Sequence, residues 1–418
     1  MIKFLEDEGR EALKFGLTFF KWLLISAFIG VVGGLVGTGF RYAVEFATEV
    51  RTENGWLIWL LPAAGLLITF IYKITKTEGE GTNDILSAIH DGVKVPVLLV
   101  PAIFAGTFIT HLAGGSAGRE GAALQIGGGI GNAVARLLGI EPKEMRLAVL
   151  SGMSALFSAL FGSPVTATVF ALEVCSVGIF HYSGLVPCGV AALVAYGVTR
   201  LCGLSPETYT IVNIPTEAIS IVKVVVLAAG CALVSVVFCE AMHAAEKYVK
   251  KWLKNAYLRA FIGGLILIGL TYLVGCRDYN GGGMNIIEAA IEEGAARPEA
   301  FILKMLFTVI TLSFGFKGGE VVPTFFIGAT FGCLLGPVIG INAGVAAAVG
   351  LIATFCGAVN CPLASIIMSV ELFGADNFVY FAIACFISYM LSGYTSLYEE
   401  QKIVYSKLKA EFINIHAK

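Results

Sequence analysis

The sequence predicts an all-α, polytopic membrane protein made of two homologous halves. Three observations carry this. Of the 418 residues, 57% are hydrophobic and only 14% charged, with mean hydropathy +0.83. Soluble domains carry about 25% charged residues, so lipid must solvate much of this surface. Apolar runs recur along the chain and are broken by Gly and Pro more often than by charge. Three sequence blocks also occur twice, in the same order and at nearly constant spacing.

The elements follow in order. The opening "MIKFLEDEGREALKFGLTFFK" alternates charge with apolar residues, which predicts a cytoplasmic amphipathic helix over 1–16 lying in the interface, not a cleavable leader. A first transmembrane half is expected over 17–202, with apolar runs near 22–40, 56–72, 97–113, 147–178 and 184–199. The polar, Pro-containing "GLSPETYTIVNIPTE" reads as a linker over 203–217. A second half follows over 218–405, with runs near 218–239, 260–275, 301–314, 324–359 and 377–395, then a cytoplasmic tail over 406–418. A full span needs about 20 apolar residues, so the shorter, Gly- or Pro-broken runs predict tilted and half-length helices. The Lys/Arg-rich joint "EKYVKKWLKNAYLR" (246–259) and the N-terminus are assigned to the cytoplasm. Ten scattered cysteines without a CxxC read as buried free thiols. Net charge −2 argues against a nucleic-acid partner.

The repeat defines the halves. "GTNDILSAIHDG" (81–92) matches "GMNIIEAAIEEG" (283–294), including Gly92 with Gly294. "ITHLAGGSAGREGAALQIG" (109–127) matches "ITLSFGFKGGEVVPTFFIG" (310–328), pairing Thr110 with Thr311 and Gly118 with Gly319 at an offset of 201. "ALFSALFGSPVTATVFALE" (155–173) matches "ATFCGAVNCPLASIIMSVE" (353–371), pairing Pro164 with Pro362 and Glu173 with Glu371. In a membrane protein, two such halves point to a transporter or channel with its site at their interface.

Each half has glycine-rich breaks followed by apolar sequence. A helix start there presents free N–H groups and the positive end of its dipole, which is an anion site without a full charge. Starts are expected near Gly81–Asn83 and Gly121, and near Gly283–Asn285 and Pro323. Pro323 suits a first turn. Asn83 and Asn285 read as N-caps, while Thr82 and Asn83 are also candidates to line an anion path. Glu120 and Glu320 lie in the paired breaks, where ionisable groups are expensive and usually functional. Desolvation and a nearby anion each disfavour a charged carboxylate. Glu120 can therefore compete with an anion when charged and leave when protonated, coupling anion to proton. Arg119 reads as a brace for the bend. His111 reads as a hydrogen-bonded packing residue, Glu173 and Glu371 as capped or interface-facing structural carboxylates, and Lys317 as solvent-facing at a vestibule.

"GREGAALQIG", "GGEVVPTFFIGATFG" and the paired "SPVTA"/"CPLAS" helices resemble the CLC family of anion channels and proton-coupled anion antiporters, over about residues 20–405. The resemblance implies a homodimer whose subunits each hold two inverted-topology halves and their own anion path. It places Glu120 on the gating glutamate. Gly118, Arg119, Gly319 and Pro323 are then structural at the site, and Gly121, Val321, Val322, Thr82, Asn83 and Tyr398 anion-binding; Tyr394 and Tyr405 are alternatives to Tyr398, as is an interfacial role for each. The family's chloride carriers have Gly-Ser-Gly-Ile-Pro where this chain has "GEGTND" (79–84), and proton-coupled ones carry an inner glutamate where this chain has Val174. "GEVVP" (319–323) adds a glutamate, as in the fluoride-exporting branch, although that branch has threonine where this chain has Val322.

The expected function is therefore fluoride/proton antiport exporting fluoride across the plasma (inner) membrane, with both termini cytoplasmic. Glu320 is expected to work protonated, or to cycle its proton with fluoride in place of the missing inner glutamate. The alternatives are a chloride/proton antiporter and a passive anion channel on the same fold. No cofactor, metal site or catalytic residue is expected. Nothing resembles a nucleophile–base pair or HExxH, and no regulatory domain is expected after 418.

Overall fold

The computed structural model describes residues 2–91, 95–215 and 217–418, with side chains from residue 11 onward and none at position 91. The repeat match at Gly92 and the amphipathic pattern expected at the extreme N-terminus lie outside the described residues or side chains. Among the described residues there are sixteen α-helices. The first half comprises Ile2–Glu53 (α1), Leu61–Ile74 (α2), Thr82–Asp91 (α3), Leu99–Ala113 (α4), Glu120–Leu137 (α5), Met145–Phe161 (α6), Pro164–Glu173 (α7) and Leu185–Leu201 (α8). The second comprises Ala218–Trp252 (α9), Ala256–Val274 (α10), Met284–Glu288 (α11, continued by a π turn), Ala300–Ser313 (α12), Val321–Ile339 (α13), Ala343–Val359 (α14), Pro362–Phe373 (α15) and Phe378–Leu391 (α16).

Six helical segments are long and apolar enough to cross a membrane, and seven more apolar helices have only 10–17 residues, matching the expected mixture of full and half spans. The backbone continues without a break past residue 16, so the segment read as an interfacial helix is the first part of α1. The apolar run 324–359 divides into two helices. Gly340 turns left-handed (φ 74°) and the Asn342 side chain accepts from Gly344 N and Val345 N at 3.0 and 3.2 Å, restarting the helix as α14. Run 147–178 divides likewise at Gly162, with Pro164 opening α7.

The halves meet through reciprocal contacts between repeat mates. Gly118 N donates to Gly319 O and Gly319 N to Gly118 O, both at 2.7 Å, in a one-residue antiparallel bridge. Ser116 N donates to Thr311 Oγ1 (3.0 Å), and its mate Lys317 N donates to Thr110 Oγ1 (3.2 Å). Glu173, ending α7, accepts from Leu363 N and Ala364 N at the start of α15. Glu371, near the end of α15, accepts from Val165 N and Thr166 N at the start of α7. An antiparallel exchange of equivalent bonds is what a two-fold relation between inverted halves produces.

Glycine allows the inner helices to touch. A Cβ on Gly152 would lie 2.0 Å from Gly127 O between α6 and α5. In the second half one on Gly350 would lie 2.3 Å from Gly328 O between α14 and α13.

The termini of the halves hold two surprises. The expected linker is laced to both halves: Glu207 N bonds Phe161 O, Tyr209 N bonds Leu372 O, and Ile214 N bonds Asn377 Oδ1; Thr216 lies outside the described residues. The segment expected as a tail folds back. Ser176–Val177 (β1), Lys402–Tyr405 (β2) and Phe412–His416 (β3) form a three-stranded sheet, β1–β2 parallel and β2–β3 antiparallel.

Candidate functional site

The two glycine breaks place the starts of α5 and α13 back to back at the Gly118–Gly319 bridge. A Cβ on Gly319 would sit 2.1 Å from Gly121 N, and one on Gly121 2.5 Å from Gly319 Cα. No other residue type permits this approach. The local fold thus brings Glu120 and Glu320, at the first turns of opposed helices, to one depth.

Glu120 is fully buried. Its Oε2 accepts from Arg119 N (3.0 Å) and its Oε1 from Arg119 Nε (3.1 Å). Arg119 also bridges Glu45 (3.3 Å) and Glu207. One guanidinium thus serves three carboxylates, holding the bend from α1, the linker and α5 at once. Glu120, Arg119 and Val322 line a vestibule of about 1000 Å³ that also reaches Arg51, His111 and Asn285.

Glu320 takes a different place. Its carboxylate lies against Gly121, so that a Cβ there would be 2.8 Å from Glu320 Oε2, and this oxygen has no protein hydrogen-bond partner. Tyr398 is buried, its hydroxyl also lacks a protein partner, and it lies within electrostatic reach of Glu320. Buried polar groups are nearly always satisfied by protein, water or ligand, so both groups are free to take a water or a ligand. Tyr394 and Tyr405 are placed differently. Tyr394 bonds Ser406 Oγ at 2.6 Å, and Tyr405 is half exposed in β2, edge-on to Phe412.

Thr82 and Asn83 reach the same region from α3. Thr82 Oγ1 accepts from Gln125 Nε2 (3.1 Å), one turn beyond Gly121. Asn83 Oδ1 accepts from Glu400 N (3.4 Å), tying α3 to the Tyr398 segment. The expected capping by asparagine is not seen. At α3 the Asp84 carboxylate accepts from Gly81 N (2.6 Å), and at α11 the N-cap is Gly283, left-handed at φ 82°, without a side-chain bond. Asn83 and Asn285 are both one residue inside the helices, past the capping position. Val321 and Val322 are buried at the first turn of α13 with Pro323 beside them; Val322 packs on Gly118.

Lys317 departs from expectation as well. It is half buried, its ammonium 4.2 Å from the Tyr72 ring centroid and 3.4 Å from Glu80 O, because the loop before α13 turns it under α2. His111 Nδ1 contacts Thr107 O at 2.9 Å, as a packing histidine should. Eight of the cysteines are buried; Cys202 is exposed and Cys276 intermediate.

Several residues escaped the sequence reading. Glu45 and Glu207, the partners of Arg119, sit 74 and 88 residues away and carry no local signal. Gln125 is buried beside Thr82, with Oε1 unpartnered. Lys304, fully buried and donating to Gly281 O at 2.6 Å, was findable: it is a lone charge within an apolar run.

Comparison with known proteins agrees with this geometry. The family described as "Voltage gated chloride channel" matches residues 64–393. A "Chloride/fluoride channel protein" of Pseudomonas syringae pv. tomato is 37% identical over 396 residues, covering 93% of this chain and 87% of the relative. An "H(+)/Cl(-) exchange transporter ClcA" of Vibrio vulnificus is 26% identical, with 89% and 86% covered. Among solved structures, a CLC-type fluoride/proton antiporter superposes with TM-score 0.89 at 32% identity, covering 93% of this chain and 98% of that one. A slow cyanobacterial Cl−/H+ antiporter shares the fold with TM-score 0.74 at 20% identity, covering 89% and 94%.

Proposed function

The chain belongs to the voltage gated chloride channel (CLC) family of multi-pass membrane transporters, and we propose that it is a fluoride/proton antiporter. The observation that carries this is the asymmetry of the paired breaks. On the 201 offset Glu320 is the mate of Arg119, not of Glu120, so the second carboxylate is an addition to the symmetric frame. Its Oε2 is buried and free of protein partners, and the residue lies within electrostatic reach of Tyr398. The likeness to a structure described as a fluoride/proton antiporter supports the same reading.

In this reading Glu120 is the gate. Charged, it occupies the anion position at the start of α5 and is neutralised by Arg119. Protonated, it is released and an anion takes the helix start at Gly121, Val321 and Val322. Glu320 in its protonated form donates a short O–H bond to fluoride, and Tyr398 offers a second hydroxyl. Fluoride is small and strongly hydrated, so replacing its water needs such donors; an ionised Glu320 would repel it. Glu320 then passes the proton on, which Val174 cannot do. Thr82 and Asn83 line the path from α3. The protein sits in the plasma (inner) membrane with both termini cytoplasmic, in keeping with Lys-rich 246–259. It works as a homodimer, for which the exposed apolar side chains of α8 and α16, Leu193 and Phe386 among them, offer a lipid-depth face.

The test compares fluoride and chloride efflux from proteoliposomes while a pH probe reads the external medium. Fluoride efflux at least tenfold faster than chloride, with external alkalinisation as protons enter, is expected. Chloride as the faster anion would assign the chain to chloride/proton exchange; fluoride efflux without any pH change would make it a passive channel.

A further inference from the structure

The two sides of the bridge carry related cavities. Beyond the vestibule over Glu120, a smaller cavity of about 160 Å³ is lined by Tyr72, Glu78, Glu246, Lys250, Arg259 and Lys317. It is the repeat counterpart of the vestibule. Glu246 stands 201 positions after Glu45, and Glu320 stands 201 after Arg119. In the first half Glu45 meets Arg119 as an ion pair. In the second half the same two places hold two carboxylates, Glu246 and Glu320, within electrostatic reach of each other. A like-charged pair at these places is poor bracing. It suits the transfer of one proton between them.

We propose that Glu246 and this cavity form the port through which Glu320 exchanges its proton with the solution on the side opposite the vestibule. The inference rests on the antiport reading above. Glu246 is half exposed at the end of α9, so it reaches solution, while the Glu320 Oε2 is buried without a protein partner. The charges facing it come from each packed element: Lys250 from its own helix at 2.5 Å, Arg259 from α10, Glu78, Glu80 and Asp84 from the α2–α3 connection and α3, and Lys317 from the α12–α13 loop. Lys317 lines the cavity three residues before Glu320, with its ammonium on the Tyr72 ring, and its charge offsets that of the two carboxylates. The cavity has room for a few waters. In the inward step the Glu320 O–H bond breaks and its proton moves to a cavity water. That water's chain delivers a proton to a Glu246 carboxylate oxygen, which releases it to solution. No oxidant or co-reactant is needed.

The bland account of Glu246 is a surface i,i+4 pair with Lys250, worth about 0.3–0.5 kcal/mol. Proteoliposome fluxes separate the two. In Glu246→Gln, proton uptake and coupled fluoride efflux should fall about tenfold while calorimetric fluoride affinity holds, and Glu246→Asp should restore both fluxes. Thr69→Phe, which fills the cavity and leaves every charge in place, should slow proton uptake to a similar degree and serves if Glu246→Gln does not fold. Wild-type proton uptake left unchanged in Glu246→Gln, or in Thr69→Phe where that alone folds, would overturn the port. Fluoride efflux by the wild type without proton movement would instead overturn the antiport reading beneath it.

Discussion

Arg119 shows how much one residue is asked to do. Three carboxylates from three segments converge on it, and removing it leaves Glu120 and Glu207 unneutralised in a largely buried place beside the half-exposed Glu45. Arg119→Gln is expected to destabilise the protein by about 3–5 kcal/mol, read as a large fall in the thermal unfolding midpoint in detergent, and to lose transport with it. Gly319 has an equally local reason: a methyl there meets Gly121 N at 2.1 Å. Gly319→Ala should cost at least about 1–3 kcal/mol by overpacking, whereas Gly269→Ala, with nothing within 4 Å, should leave the midpoint unchanged. The sequence made Arg119 and Glu120 legible because charge in a glycine break of an apolar chain is conspicuous. It hid Glu45 and Glu207, since nothing near residues 45 or 207 says which distant side chain they will meet. It misassigned Asn83 because a cap is chosen by where the helix begins, and the helix already begins at Thr82.

At the scale of elements, the reciprocal capping of α7 and α15 joins the two halves near their ends. Glu371→Gln weakens the acceptor for Val165 N and Thr166 N and should cost about 1 kcal/mol, while leaving the ratio of protons to fluoride untouched; a changed ratio would move Glu371 into the transport path. The matched Glu173 and Glu371 were visible in the repeat, but their crossing could not be, because it depends on the inversion. The β1–β2–β3 sheet was also out of reach of periodicity, being built from very short strands after an apolar helix. Its hairpin carries Lys407, whose ammonium donates to Tyr389 O (2.9 Å) and Asn360 Oδ1 (2.5 Å). Burial pushes this amine from 10.5 down to about 8. The docked hairpin therefore releases a proton that the undocked chain still holds between about pH 8 and 10.5, so docking strengthens as pH rises through that window. Hydrogen exchange over 402–418, corrected for intrinsic rates, should show more protection at pH 9 than at pH 7, and Lys407→Met should remove the difference.

For the whole molecule, the informative fact is a frame more symmetric than its chemistry. Backbone contacts repeat almost perfectly across the bridge: Gly118 with Gly319, Thr110 with Lys317 and Thr311 with Ser116, α5–α6 with α13–α14. The charges do not. Arg119 braces one vestibule, and its mate Glu320 leaves a carboxylate oxygen without a protein partner. The two-half layout could be read from the offset alone, since three blocks shared it. The reciprocal contacts of the inverted halves needed the bridge, and the bond of Tyr394 to Ser406 and the exposure of Tyr405 needed the fold of the C-terminal segment. In the antiport proposed above, Glu120 exchanges one anion place with fluoride as it gains and loses a proton. This exchange is tested most directly by imposing an inward-acid or inward-alkaline pH gradient on fluoride-loaded proteoliposomes at zero voltage and following fluoride with an electrode. Wild-type protein should move fluoride against its own gradient in the direction set by the proton gradient, and Glu120→Gln should not. Uphill fluoride movement that survives in Glu120→Gln, or its absence in the wild type, would contradict the account.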